Sequence, residues 1–574
     1  MKTRMIFAAA FAVAAAAVGA ALSPGSLDPA FNGSGVMLSS FDGYAGSLLV
    51  DANDRIVVGG YTSDPLGRPG SVDRDFLVAR YNFNGASLDL GFGGETTTLG
   101  TAVSNFSDDD VIRDMAIDSA GRIVVAGWMT EHGLGTGTPP QNENFALARY
   151  MSQGIRDVTF NVSGVKLVGF DSYEGFFEGA NAIAIDSLGR IIVGGYSWQS
   201  HGLLLPKIYA DFAIARLNPN GDLDTTFGGD GRVLISFGGP AQINDIAVDE
   251  QNRVIAVGST ADFEGDQERV AIVRLQANGS LDTTFGNSGK ILHTLGRHTS
   301  SATAVALDSA GRIVVGGVSG DFVNTGGVFF FPDDYERVVP RWPIVYNQTA
   351  DFAVARFLTN GTIDSDFGSG GITFADFAGR DDVANGLGID SQGRILQVGT
   401  TSTTDSFNNF AVARYTANGV LDSGFGVAGR TTTDFGDSLN DVAMDVAFDS
   451  FNRVVVGGFA RIYGPSTPKI AIARYDNGGA MSLPRTREFV ETLRGAGIID
   501  SAGVTNALTS MLSSAQQATD AGDATAARNK LEAFVRLVEA QAGKHIAVSA
   551  TLNGVTFSPP IELAAMARNV MQGL

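Results

Sequence analysis

The chain has no cysteine among its 574 residues and only five histidines. Without cysteine there can be no disulfide, no thiolate metal site and no thiol-linked lipid, so stability must come from packing. Basic residues are scarce as well: 40 Lys and Arg stand against 61 Asp and Glu, a formal charge of -21. Such a field repels nucleic acid phosphates and anionic head groups and draws cations weakly, which excludes nucleic acid as a partner. Beyond the first twenty residues no apolar run reaches the roughly 20 residues that cross a membrane, so no membrane span is expected. Catalytic signatures are missing too: there is no GxSxG elbow, Walker loop, HExxH pair or dinucleotide fingerprint, and no cofactor is expected.

The first twenty residues stand apart. Lys2 and Arg4 precede an apolar, alanine-rich run from Met5 to Val18, followed by a small-residue boundary ending at Ala20. This predicts a signal peptide over 1–20 and export to the periplasm, the cell surface or the medium.

What the sequence has in abundance is repetition. Three markers recur in register, seven times each. The first is an Asp, a short link and an Arg opening an apolar run, as in "DANDRIVVGG" from Asp51 and "DSAGRIVVGG" from Asp308. The second is "FAVAR" or a variant, ending at Arg80, Arg149, Arg216, Arg274, Arg356, Arg414 and Arg474. The third is "NGxLDxxFG", whose Asp falls at Asp28, Asp89, Asp157, Asp224, Asp282, Asp364 and Asp422. Between them lie short runs of Val, Ile, Phe and Leu bounded by Gly, Asn and Asp, which read as strands. Several, such as "RIVVGG", are apolar on both faces and must be covered on both sides. Glycine pairs such as Gly59 and Gly60 read as strand ends.

Four strands in about 64 residues suit a propeller blade, and a unit of this kind cannot bury itself alone. The phase of the repeat is informative. Val36 to Phe41 has the character of an outermost strand with no blade before it, and the last copy, ending at Tyr475, lacks that strand. Pairing the two removes the open edges. The expected fold is an all-β seven-bladed propeller of four-stranded antiparallel blades, the N-terminal strand closing the last blade, over residues 27–475. A linker over 476–484, a small α-helical domain over 485–546 and a tail over 547–574 follow.

The "LDxxFG", "DxxGRIVVGG" and "FAVAR" signatures resemble the delta-60 repeat family of exported bacterial proteins, which implies a β-propeller and little about activity. Two copies depart from the pattern, at Ile155 to Asn161 and in "VAIVR". After Gly479 apolar residues fall at three and four spacing, with Gly497 and Gly522 as stops and Asp523 as an N-cap. "GIIDSAGVTNALTSML" and "FVRLVEAQAGKHI" resemble the FIMAH domain, which suggests attachment to an envelope or partner.

The repeated charges, among them Asp51, Arg55, Arg80, Asp89, Asp308, Arg312, Arg356 and Asp364, read as structural ion pairs, because a reaction centre is singular and these recur in every copy. The second-to-third strand connections vary in length, and variation on one face of a repeat protein marks its binding side. The longest, Val318 to Ala350, carries Phe329, Phe330, Phe331, Tyr335, Trp342 and Tyr346, candidates for stacking on sugars or anchoring a protein. His132 with Glu131, and His201 in the equivalent connection of the next copy, are candidate metal ligands. Acidic links ending at Asp110 and Asp382 could hold calcium, although no EF-hand loop or RTX-type repeat is present. These observations favour a non-enzymatic propeller that binds an extracellular protein or glycan; the alternative is a metal-assisted hydrolase or lyase acting on an extracellular polymer.

Overall fold

A computed structural model describes residues 24–567 except 29–30, 64–73, 94–98, 107–108, 131–142, 171–176, 202–206, 262–267, 298, 321, 325–343, 347–349, 404–406, 437, 463–467, 479–485, 488–489, 492–493, 495–498, 548–549, 553–554, 558–562 and 564–566. Residues 24–478 form a β-propeller. Five separate four-stranded antiparallel sheets stand beside one eight-stranded sheet. The first shows the plan: Tyr44–Val50 innermost, then Ile56–Ser63, Arg74–Tyr81 and, outermost, Thr101–Ser104. The strands innermost in their ladders pack side by side in circular order, Tyr44–Val50, Asp110–Ile117, Glu178–Ile185, Ala241–Val248, Thr299–Leu307, Asp382–Ile389 and Ser438–Phe448, and so back to Tyr44–Val50.

The eight-stranded sheet holds two antiparallel ladders joined by a single parallel pair, Asn408 with Asn440. One of these ladders takes its outermost strand from the N-terminal side of the chain. Val36–Asp42 pairs with Lys469–Tyr475, Met37 opposite Ile472 and Leu38 opposite Ala471. The Arg474 N–H donates to Gly35 O at 2.9 Å, extending this seam.

Cores lie between sheets, which is why the second and third strands are apolar on both faces. Every residue of Ile313–Gly320 and of Asp351–Phe357 is buried. A typical layer joins Val57 and Phe76 of one sheet to Ile112, Val125 and Ala148 of the next. The layer at the seam joins Met37, Leu48 and Val58 to Val455, Ile470 and Ile472. Burial of this kind contributes roughly 25 cal/mol per Å² of apolar surface.

The glycine pairs lie inside their strands and do not end them. Each innermost strand carries a β-bulge, between Ala45 and Ser47 in the first, and the second glycine of the pair stands across from it. A Cβ on Gly60 would sit 1.9 Å from Tyr44 O, one on Gly195 1.8 Å from Gly179 O, and one on Gly317 2.1 Å from Ser301 O. Only glycine fits where a bulged neighbour comes this close.

In the C-terminal region Ala502–Asp520 begins at Ser501, whose Oγ accepts the Val504 N–H at 3.3 Å. Ala524–Gln541 begins at Asp523, whose Oδ1 accepts the Ala526 N–H at 2.9 Å. Leu508, Leu512, Leu531, Phe534 and Val538 pack between these helices. Among the described residues no helix is long and apolar enough to cross a membrane.

Candidate functional site

Antiparallel order gives each sheet two ends. The hairpin end carries the first-to-second strand hairpin and the third-to-fourth connection; the loop end carries the second-to-third connection and the link to the next sheet.

At the hairpin end Asp51 accepts the backbone N–H groups of Asn53 and Arg55 at 2.8 and 3.0 Å and the Arg55 Nε at 2.8 Å, folding the turn onto its own side chain. Arg55 also reaches Asp89 at 3.1 Å. The Arg80 Nε donates to Asp89 Oδ2 at 2.9 Å, its guanidinium lies 4.5 Å from the Phe92 ring centroid, and Nη1 donates to Ser152 O in the following unit. The arrangement recurs at Asp308, Arg312, Arg356 and Asp364, with Arg312 to Asp308 and Arg356 to Asp364 both at 2.7 Å. It also closes the circle: Arg474 donates to Asp28 at 3.0 Å, lies 4.9 Å from the Phe31 ring and reaches Phe83 O in the first unit at 2.5 Å. Burial alone would raise the carboxyls of Asp157, Asp224 and Asp282, but hydroxyl and N–H groups of Thr159, Thr226 and Thr284 and the paired arginines outweigh it and hold them below the usual carboxylate range. These charges are spent on joining neighbours.

The loop end is chemically different. Four innermost strands open on, or close to, a buried acid that accepts the backbone N–H of an aromatic residue in the preceding link: Phe106 to Asp110 at 2.6 Å, Phe170 to Glu178 at 2.9 Å, Phe377 to Asp382 at 2.7 Å and Phe435 to Asp441 at 2.9 Å. Each aromatic then packs on a third-strand phenylalanine, as Phe377 does on Phe352 with centroids 5.2 Å apart. Burial pushes Asp382 up to about 7, and it does the same to Glu268 against hydrogen bonds from Ser259 and Ser301.

Around the loop end the residue after the glycine that faces the bulge changes character. It is Phe459, Tyr61, Trp128 and Tyr196 in four successive units, and Ser259, Val318 and Thr400 in the other three. Tyr44 stacks on Tyr61 at 4.9 Å and packs on Phe459 at 4.6 Å. Arg74 lies 5.3 Å from the Tyr61 ring and 5.2 Å from the Trp128 ring while donating to both oxygens of Asp109, at 2.6 and 2.7 Å. One side of the loop end is thus aromatic and the other carries smaller, non-aromatic residues.

Nearer the axis, three of the bulges are followed by acids. Asp114 accepts the Ile183 N–H of the next sheet at 2.8 Å, Asp245 the Val305 N–H at 2.7 Å and Asp445 the Leu48 N–H at 2.8 Å. Burial, and then the charge of Asp445, push Asp114 up to about 7; burial also raises Asp245 and Asp445. These acids escaped sequence reading, although each carries a signal: it interrupts an apolar strand four residues before the hairpin Asp, at Asp118, Asp249 and Asp449.

Of the residues singled out as ligands, His201 is half-buried. Its ring stacks on Tyr209 with centroids 3.9 Å apart, and Nε2 lies 3.0 Å from Asp211 Oδ2. Burial raises the Asp211 carboxyl against the nearby charges of His201 and Lys290. Glu131, His132, Phe329, Phe330, Phe331, Tyr335 and Trp342 lie outside the described residues. Tyr346 is described in its backbone, which pairs with Phe322 in a two-stranded sheet, Phe322–Asn324 with Ile344–Tyr346.

No curated protein matches the chain by sequence. Among solved structures, similarity extends to a polysaccharide lyase titled PL25-Ulvanlyase, at 11% identity, with 76% of this chain and 95% of that one covered and a TM-score of 0.41. It extends also to a gluconolactonase of Xanthomonas campestris, at 11% identity, 78% and 92% coverage and a TM-score of 0.29. The family described as domain of unknown function (DUF5122) beta-propeller matches residues 189–227, 252–285, 342–367 and 391–425, and the FIMAH domain matches 483–553. The chain carries a region of DUF5122 β-propeller repeats followed by a C-terminal FIMAH domain.

Proposed function

We propose that the protein is an exported, non-enzymatic propeller that presents its loop end to an extracellular protein or glycan, with the helical module serving attachment. In this reading the eight-stranded sheet is two blades touching at Asn408 and Asn440, and the ring has seven. The observation that carries the proposal is the contrast between ends. Arginine and aspartate repeat the same contacts at the hairpin end, whereas the loop end varies from unit to unit in aromatic content, buried acids and connection length. A scaffold that uses one end to hold itself together is free to vary the other for recognition.

The test is a binding screen against soluble extracellular polysaccharides and surface proteins, run on the chain and on a variant lacking residues 325–343. Binding of one class, lost in the deletion and kept in Arg312→Gln at the opposite end, is expected. Equal binding by chain and deletion, with unchanged melting temperature, would rule out the long connection as the recognition element. The hydrolase or lyase reading has one observation in its favour, the His201 and Asp211 pair beside Tyr209. It requires polymer cleavage that disappears in His201→Ala.

A further inference from the structure

Three carboxylates meet where the longest second-to-third strand connection rejoins the propeller. Asp351 opens the third strand after that connection, Asp376 follows the outer strand Ile372–Ala375, and Asp382 opens the innermost strand Asp382–Ile389 of the next unit. One oxygen from each lies within 4.8 Å of the others; Asp351 and Asp382 are buried and Asp376 is exposed, so the group has one open side. Among the described residues no other three acidic or histidine side chains come this close.

Clustering alone does not call for an ion; the state of Asp382 does. It is wholly buried, its Oδ2 accepts the Phe377 N–H, and its Oδ1 has no hydrogen-bond partner. Thr401, its cross-strand neighbour, sits beside the carboxyl but its hydroxyl makes no well-formed hydrogen bond. A buried carboxylate oxygen left unpaired calls for a proton or a cation. Arg297 does not fill this role: its Nη2 lies 2.9 Å from Asp351 Oδ2, at the neighbouring carboxylate. Arg430 is engaged with the Asp376 carbonyl oxygen.

We infer that Asp351, Asp376 and Asp382 bind one hard divalent cation, calcium in preference to magnesium. The donors are all oxygen, the chemistry hard cations select. Calcium holds ligands at about 2.3–2.6 Å, so oxygens on opposite sides of it stand up to about 5 Å apart, a span these three already meet. Magnesium demands near-ideal octahedral geometry and gives up its water reluctantly, so it suits a cage of protein carboxylates less well. The ion would tie the base of the connection to the link between units, where Asp382 N–H already donates to Ala350 O at 2.9 Å. Arg297 and Asp381 are the other charged groups facing Asp351, of opposite sign to each other. The inference does not depend on which ligand the loop end recognises.

The full chain, freed of metal by chelation, is titrated with calcium chloride and in parallel with magnesium chloride, reading heat of binding and melting temperature. Calcium is expected to bind at one site per chain and raise the melting temperature, and magnesium to do so at least about tenfold more weakly. Asp376→Asn, at an exposed position, should weaken calcium at least about tenfold, while Asp230→Asn, an exposed acid elsewhere, should leave it unchanged. Asp382→Asn should abolish the site; should it not fold, Asp376→Asn still decides. No calcium-dependent heat or melting shift at millimolar calcium, or parent-like affinity in Asp376→Asn and Asp351→Asn, would overturn the inference.

Discussion

The two ends of the propeller are made from the same strands, and their acids behave in opposite ways. At the hairpin end the aspartates meet arginines and turns of N–H donors, and for Asp157, Asp224 and Asp282 these contacts favour the charged form. At the loop end and along the inner bulges, acids such as Asp382, Glu268 and Asp114 are buried with few cationic partners, so their neutral form is favoured. The first arrangement holds units together. The second leaves carboxyls without cationic partners in places that lose water on folding.

The largest expected effect breaks the hairpin end at its seam. Asp28→Ala leaves Arg453 and Arg474, both almost wholly buried, without their shared carboxylate at 3.3 and 3.0 Å. A loss of about 3–5 kcal/mol is expected, read as a lower denaturant midpoint. Gly60→Ala comes next, since its Cβ would overlap Tyr44 O at 1.9 Å. Overpacking of this kind costs about 1–3 kcal/mol or more, whereas Gly229→Ala, with open space around it, should cost only the strain of its positive φ.

At the loop end the sign reverses. In calcium-free buffer at pH 8, Asp382→Asn should stabilise the protein by roughly 1–3 kcal/mol, because it removes a buried charge whose carboxyl stands well above the ordinary value near 4. Equal or lower stability of the variant would show that the charge is compensated.

The pH profile compares the ends directly. The hairpin-end carboxyls of Asp157, Asp224 and Asp282 are depressed, so their contribution is present above about pH 4 and lost as pH falls through their folded values. The raised group, at about 7 for Asp382, Glu268 and Asp114, contributes most below about pH 4 and loses this as pH rises through 7. Without metal, stability should peak at about pH 4–5, lower than for most globular proteins; thermal melts from pH 3 to 8 check this. The smallest effect belongs to Arg312→Gln, whose side chain, paired with Asp308, is about a third exposed, at about 0.5 kcal/mol.

Much of the fold was legible because its rules are local and repeated. Strand alternation, turn residues and the missing outer strand of the last copy all pointed to the pairing of Val36–Asp42 with Lys469–Tyr475, and Asp523 as a helix cap was visible from one residue type and its place. Read along the chain the glycine pairs look like strand ends, because the reason for them is a bulge on a different strand. The loop-end acids were harder still. Asp110 and Asp382 stand out as acidic links, but nothing in their neighbours along the chain reveals burial, and the convergence of Asp382 with Asp351 and Asp376 spans two units.

The order of units, the phase of the strands and the arginine and aspartate pairs were determined by the sequence alone, because each follows from short spacings that repeat. Tertiary structure alone decided which acids lose water and which keep a partner. That outcome depends on residues from adjacent sheets coming together, and desolvation is a property of the surroundings, not of the residue type.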